Sequence, residues 1–596
     1  MIENKKNRIE RFVYLIALWA VVLLPAVSLA QTINIEIIET SDVHGAVYPY
    51  DFVNDKESTG SLAQVYSYVK QQRGDSSLQV ILLDNGDILQ GDPASYYYNF
   101  IDTSGIHLFA QVMDYMKYSA GTVGNHDIET GHSVYDRFRK QIDFPWLAAN
   151  AINTSSGETY FQPYSIIISR GIKIAVLGLI TPAIPQWLPP NIYSGIEFED
   201  MIETAEKWSK IIKEKERPDL MIGLFHSGVN YNYNGENENT FKNENASRLV
   251  AEKVPGFDAV LVGHDHAGWN FKVAGPDGDS VLIVGPTSRA RNVAVAKFVM
   301  RYDSESTKWI KAGENGEIVE MKDCPPDKEF LKTFAPQKHK IENYIAQPVC
   351  VFTKSVFTGD ALFGPSDFID LIHKFQLDET GADISFASPL SYNAIIDSGT
   401  VYVRDMFKLY RYENFLYTMK LSGKEIKDYL EFSYSNWFNQ MNNEDDHLLK
   451  FKKNNDGSLK LSSSNKPELA GIYYNFSSAA GIKYTVDVSK PGGDRIKIIS
   501  MDDGSEFYPD KIYTVAINSY RGNGGGGHLT RGAGIPQDEL SGRLISSSEK
   551  ELRLLMMNWL KKQKIVSPVK LNNWEIIPEE WWEKGYGKDF RSLFGN

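Results

Sequence analysis

The sequence predicts an α/β protein of two domains, and three observations carry that expectation. From about Thr32 to Asp303, short apolar runs alternate with amphipathic segments, the pattern of strands layered with helices. Five of the runs, Ile33 to Ile38, Val80 to Leu83, Ala120 to Val123, Met221 to Phe225 and Ala259 to Val262, each lead into a short polar motif. The length of 596 residues exceeds what a single hydrophobic core serves, so a second domain and a tail should follow.

Composition narrows the class. With 42% hydrophobic and 23% charged residues, the chain is ordinary globular material, neither disordered nor a multi-span membrane protein. A net charge of −13 argues against a nucleic-acid polymer as partner, which calls for a basic surface. Small anions remain open, because bound cations reverse the local field of a site.

Taken in order, the elements begin with an address. Lys5, Lys6, Arg8 and Arg11 precede the apolar stretch Phe12 to Leu24, and Ser28-Leu29-Ala30 offers small residues for cleavage after Ala30. Residues 1–30 are thus expected to be a signal peptide, the alternative being a retained anchor of marginal spanning length. No Cys stands near the cleavage point to carry a lipid.

The first domain is expected over 32–305, with a packed helix from Ile106 to Tyr118 whose His107 is structural and with closing strands near Val281 to Val284 and Val293 to Val299. Residues 322–347 read as a connector. The second domain, 351–546, shows a helix at Ser366 to Phe375, a strand at Ile384 to Ala387, a helix at Gly423 to Tyr434, and strands at Lys483 to Val488 and Ile512 to Ile517. A polar surface excursion falls between about Asp445 and Lys466, and 547–596 is expected as a helical tail with a Trp-rich stretch. Cys324 and Cys350 could pair across the domain junction or remain free thiols.

The polar motifs carry the chemistry. They are Asp42-Val43-His44, Gly86-Asp87, Gly124-Asn125-His126-Asp127, His226 and Gly263-His264-Asp265-His266. In an open α/β sheet, functional side chains gather beyond the carboxyl ends of strands. Two-residue spacing lets Asp42 with His44, and His264 with His266, face one side together. Asp87 is placed to bridge, and Asn125 adds a neutral oxygen. Mixed Asp, His and Asn donors suit two borderline divalent cations such as Zn²⁺ or Mn²⁺ better than Ca²⁺. A lone Asp-x-His is commonly just a turn; five motifs in order, each after a strand, are not.

In that order the motifs resemble those of the calcineurin-like metallophosphoesterases. Within them the chain is similar to the exported bacterial nucleotidases, a family of 5′-nucleotidase/UDP-sugar hydrolases and 2′,3′-cyclic-nucleotide phosphodiesterase/3′-nucleotidases. The resemblance implies a catalytic sandwich of sheets flanked by helices, a C-terminal α/β substrate domain, and a hinge between them. It implies one ion held by Asp42, His44, Asp87 and His266, and another by Asp87, Asn125, His226 and His264. His126 matches the family's catalytic histidine, with Glu129 standing where relatives often have an Asp that orients it. Asp127 is read as a loop-capping residue.

In the family, two rings sandwich the base. The segments Leu409 to Leu416 and Asn518 to Arg521 match those positions, which puts Tyr412 and Tyr520 on the base and Asn414 beside it. The 5′-nucleotidase branch carries an Arg in a glycine-rich segment. Here Ala387-Ser388-Pro389-Leu390-Ser391-Tyr392-Asn393 has none and resembles the cyclic phosphodiesterase branch. The expected function is therefore hydrolysis of 2′,3′-cyclic nucleotides and 3′-nucleotides. A 5′-nucleotidase or UDP-sugar hydrolase is the alternative, and a non-catalytic nucleotide-binding surface protein the reading from another class. The expected partners are small nucleotides. An exported location, periplasmic or secreted and without stable membrane insertion after cleavage, completes the expectation.

Overall fold

The computed structural model describes residues 31–462 and 464–595, except the side chain of Asn234. The expected signal segment lies outside them.

Two six-stranded sheets build the first domain. One runs in the order Lys308–Glu320, Asn292–Asp303, Thr32–Thr40, Leu78–Asp84, Ala120–Thr122 and Trp146–Leu147. The other runs Trp269–Ala274, Ser280–Gly285, Ala259–Val262, Leu220–His226, Ile172–Ile180 and Tyr164–Ser169. Alternation in the sequence explains why they face each other. Ile33, Ile35 and Ile37 share a core with Ile174, Val176, Ile222, Leu224 and Leu261 of the opposite sheet. Ile38 instead joins the outer core with the helices Leu62–Gly74 and Leu108–Met116, through Val65, Val69, Phe109 and Met113. The second sheet's outer face packs on the helices Met201–Lys215 and Ser247–Lys253. Each aliphatic side chain fully buried in such a layer contributes about 1.5–3 kcal/mol.

The inner strands of both sheets are parallel neighbours, so their carboxyl ends emerge together. Asn85 ties the two sheets at that rim: its Nδ2 donates to Glu39 Oε1 at 2.8 Å on one side and to the Phe225 carbonyl at 3.0 Å on the other.

The first domain is longer than the expected boundary at 305. Lys308–Glu320 pairs antiparallel along Asn292–Asp303, and its polar, charged sequence is that of an exposed edge strand, which hid it from a hydrophobicity pattern. The helix expected from Ile106 starts at Leu108, with His107 as its N-cap accepting from Phe109 N; Ile106 therefore lies off the packed face and is 58% exposed.

The connector holds the helices Lys328–Thr333 and Ala335–Ile345, whose Phe330, Ile341 and Ile345 are buried. Gln64 Nε2 fastens its start by donating to the Met321 and Cys324 carbonyls. Cys324 and Cys350 are both free thiols.

The second domain centres on a five-stranded sheet ordered Ser478–Ala480, Ile384–Ala387, Ile512–Asn518, Phe415–Ser422 and Leu544–Glu551. The helix Asp367–Thr380 starts on the Ser366 cap and stops at left-handed Gly381, and Gly423–Trp437 starts on a Ser422–Glu425 capping box. The segment 547–596 carries the helices Leu552–Gln563 and Glu579–Phe594, but it also contributes strands to the second domain. Leu544–Glu551 is an edge strand of this sheet, and Trp574–Ile577 pairs parallel with Ile482–Asp487, burying Trp574 against Tyr484. Local helical pattern cannot reveal pairing across so much chain.

Candidate metal centre and the cleft it faces

The strand ends bring the predicted donors into two groups, Asp42 with His44 and His266, and Asp87 with His226 and His264, the donor atoms of each group lying within 4.8 Å of one another. In the first, His44 Nε2 is 3.0 Å from His266 Nε2, and His266 Nε2 is 3.2 Å from Asp42 Oδ1. In the second, His226 Nε2 is 3.2 Å from Asp87 Oδ2, and Asn125 Oδ1 lies 3.1 Å from His226 Nε2 and 2.9 Å from His264 Nδ1.

Asp42 Oδ1 and Asp87 Oδ2 are buried and accept no hydrogen bond among the described residues. Buried carboxylate oxygens left this way are costly unless something cationic completes them. Two such oxygens, each among imidazole nitrogens, are a donor set that fits a pair of divalent cations.

The backbone is bent to make this set. Asp42, His44, Asp87, His264 and His266 all adopt positive φ, between 46° and 75°. Non-glycine residues held there cost about 1–3 kcal/mol each and persist where surroundings enforce them. One enforcer is Asp127, completely buried. Its carboxylate accepts from the backbone N–H groups of Asp87, Ile88, Leu89 and Gly124, at 2.8–3.0 Å, and so locks the Gly-Asp loop to the Gly-Asn loop. Gly124 must be glycine, since a Cβ there would stand 2.1 Å from Asp87 Oδ1.

Backing groups fix the ring orientations. His44 Nδ1 lies 3.1 Å from the Gln90 carbonyl, His226 Nδ1 2.6 Å from the Asn85 carbonyl, and His264 Nε2 3.2 Å from Glu244 Oε1. In each ring the other nitrogen is left for the centre. Burial pushes His44 down to about 3 against the pull of Asp87, so this ring is neutral at pH 7, the form that donates a lone pair. Burial alone would raise the Asp87 carboxyl, but the imidazoles of His226, His126 and His44 outweigh it and hold it well below the usual carboxylate range.

His126 stands beside the groups. Its backbone N–H donates to Asp87 Oδ1 at 2.8 Å, and its Nδ1 is 2.5 Å from Glu129 Oε2. Burial would lower this imidazole; Asp87 and Glu129 win and hold it up at about 9. Its side chain remains 27% exposed, open to whatever enters.

What it opens to is a cleft of about 620 Å³ between the domains. His44, Asn125, His126, Glu129, His264 and His266 line one wall, and Tyr412, Asn414 and Tyr520 the other. Tyr412 lies edge-on to Tyr474, with ring centroids 6.3 Å apart. Tyr520 folds over Gly525, where a Cβ would meet its ring at 2.6 Å. Asn414 is nearly buried, its Nδ2 3.4 Å from the Tyr410 hydroxyl. Nine of the twelve predicted site residues line this cleft, whereas Asp42, Asp87 and His226 are buried and do not line it.

Sequence reasoning missed Asn85, Gln90, Glu244 and Trp187. Trp187 lies 5.6 Å from the His264 ring. Glu244 sits in a loop with no apolar run before it, so no local signal marks it. Asn85 precedes a recognised motif and could have been found through it.

Two family models match the chain. Residues 35–268 match the family model described as calcineurin-like phosphoesterase, and residues 350–531 the one described as 5′-nucleotidase, C-terminal domain. The chain is 27% identical to the trifunctional nucleotide phosphoesterase protein YfkN of Bacillus subtilis over 92% of its own length, but spans only 39% of that protein. It is 24% identical to a 2′,3′-cyclic-nucleotide 2′-phosphodiesterase/3′-nucleotidase of Yersinia enterocolitica, over 92% of this chain and 88% of the other. Among solved structures, a putative 5′-nucleotidase from Staphylococcus aureus superposes with a TM-score of 0.72 at 19% identity, covering 91% of this chain and 99% of that one.

Proposed function

Because this chain belongs to the calcineurin-like phosphoesterases that carry a 5′-nucleotidase C-terminal domain, we propose that it is a two-metal phosphohydrolase of small nucleotides, acting on 2′,3′-cyclic nucleotides and nucleoside 3′-phosphates. One observation carries the reading. Two groups of donors, each with an orphaned buried carboxylate oxygen, reach through His44, His264 and His266 a cleft that Tyr412 and Tyr520 also line. Asp42, His44, Asp87 and His266 would hold one ion; Asp87, Asn125, His226 and His264 would hold the other. Bound divalent ions supply charge neutralisation at the phosphoryl oxygens and water activated at neutral pH.

The chain's own residues do the rest. Asn125 and His126, on one turn at the end of a strand, orient the phosphoryl group. Glu129 holds His126 Nδ1, so the proton that His126 passes to the departing nucleoside oxygen leaves from Nε2. Tyr412 and Tyr520 stack the base, each contact contributing about 1–3 kcal/mol with little regard to base identity, and Asn414 reads its edge. The segment Ala387–Asn393 gives the cleft Leu390 and no cation, which supports the cyclic and 3′ substrates over 5′-phosphates.

The Lys- and Arg-bearing N-terminus ahead of an apolar stretch supports export to the periplasm or beyond. No helix of the described residues is long and apolar enough to cross a membrane.

Purified protein supplied with Mn²⁺ or Zn²⁺ should hydrolyse 2′,3′-cyclic AMP and 3′-AMP well ahead of 5′-AMP and UDP-glucose. Preference for 5′-AMP would reverse the substrate assignment, and hydrolysis of none would favour a binding protein.

A further inference from the structure

Most charged groups lining the cleft already have a partner. Glu129 holds His126, Glu244 faces His264, and Asp265 accepts from Trp269 Nε1 and Val229 N. Arg289 lies 3.4 Å from buried Asp92, and Arg521 donates to Asn475 and to the carbonyls of Gly525 and Tyr474. Two guanidiniums stand apart. Arg291 and Arg411 line the same cleft, are exposed, and make no ion pair or side-chain hydrogen bond among the described residues.

Their positions give them meaning. Arg291 belongs to the first domain and lies two residues beyond Arg289, whose N–H donates to the Asp42 carbonyl at 2.8 Å, so it stands on the metal side. Arg411 belongs to the second domain and immediately precedes Tyr412, on the side of the aromatic rings. The Arg411 charge acts on the Tyr412 hydroxyl. A substrate lying between metals and rings meets one cation from each domain. The scissile phosphate is served by the metal centre, which leaves these two charges for another anion.

We propose that Arg291 and Arg411 form a subsite for a second phosphoryl group, so that nucleoside 3′,5′-bisphosphates are favoured substrates. This rests on the reading of the site given above: with the 3′-phosphate at the metals and the base on Tyr412 and Tyr520, the 5′ position of the sugar is left to carry the second group. Guanidinium suits it, because planar N–H pairs match phosphate oxygens bidentately. The chain's net charge of −13 makes a mononucleotide, and not an oligonucleotide end, the fitting ligand.

The test compares kcat/KM for adenosine 3′,5′-bisphosphate and 3′-AMP, using metal-loaded protein at low and high salt. It covers the unaltered chain, Arg291→Ala, Arg411→Ala and the corresponding Lys variants, with thermal melts to show that each folds. The unaltered chain should prefer the bisphosphate by about tenfold or more. That ratio should shrink toward one in either Ala variant, partly recover with Lys, and fall with salt. A ratio near one in the unaltered chain, or a ratio that neither Ala variant changes, overturns the subsite. If neither compound is hydrolysed, the proposed reaction fails and equilibrium binding followed by tryptophan fluorescence decides the subsite instead. Tighter binding of the bisphosphate that depends on Arg291 and Arg411 supports it, and equal affinity for both compounds overturns it.

Discussion

At the scale of single residues, His126 and Asp127 are neighbours with opposite tasks. His126 is half open to the cleft and held by Glu129, whereas Asp127 is sealed and holds backbone. His126→Ala should therefore lower kcat by about 10²–10⁴ while melting temperature stays near that of the unaltered chain. Asp127→Ala should do the reverse in order of cause. Four backbone N–H groups lose their acceptor, each orphan costing about 1–3 kcal/mol, so the fold loosens first and activity falls with it. Thermal melts set beside steady-state kinetics separate the two. His373 offers a test by pH. Both its nitrogens lie 3.0 Å from serine hydroxyls in a sealed pocket, and burial pushes it down to about 3. The unfolded chain binds that proton near pH 6.5. Stability from this residue is complete above about 6.5 and declines as pH falls toward 3, because only the unfolded state takes up the proton in that window. His373→Gln should flatten the fall in melting temperature between those values; parallel curves would count against this account.

At the scale of elements, what a strand ends in mattered more than how long it was. The five apolar runs were legible because each alternates or is uniformly apolar, and Ile33, Ile35 and Ile37 face the inner core as that pattern requires. The donors were legible because chemistry concentrates where such strands stop. Lys308–Glu320 and Leu544–Glu551 were not legible, since polar and charged residues dominate both edge strands and only Trp309 and Ile318 of the first pack on the inner core. Backing residues such as Glu244 were hidden for another reason: they reach the centre through loops whose course depends on the whole fold. The turn after Ile512–Asn518 yields a prediction of its own. Gly525→Ala should push Tyr520 aside and raise KM several-fold at nearly constant kcat, the signature of lost uniform binding.

At the scale of the molecule, the domains meet through a sealed polar network. Gln90 Nε2 donates to Glu413 Oε2 at 2.9 Å, the Arg553 guanidinium pairs with Glu413, and the Tyr96 hydroxyl donates to Glu551 at 2.9 Å. Arg553 is the common counter-charge for two buried carboxylates. Arg553→Met should cost about 3–5 kcal/mol, measured by denaturant unfolding, because it strands them both. Metals should stabilise by mass action, since they bind only the assembled rim. At free metal about a hundred times its Kd, the gain is about 2.7 kcal/mol, and a chelator should remove it from the melting curve.

The left-handed backbone at Asp42, His44, Asp87, His264 and His266 has an evolutionary consequence. At each of these positions glycine would relax the chain, so durability and turnover pull in opposite directions. His266, whose side chain is 43% exposed, is where that conflict is sharpest. A population of variants sorted for heat resistance alone should enrich His266→Gly early, and the winners of such a contest should be robust proteins that no longer catalyse anything.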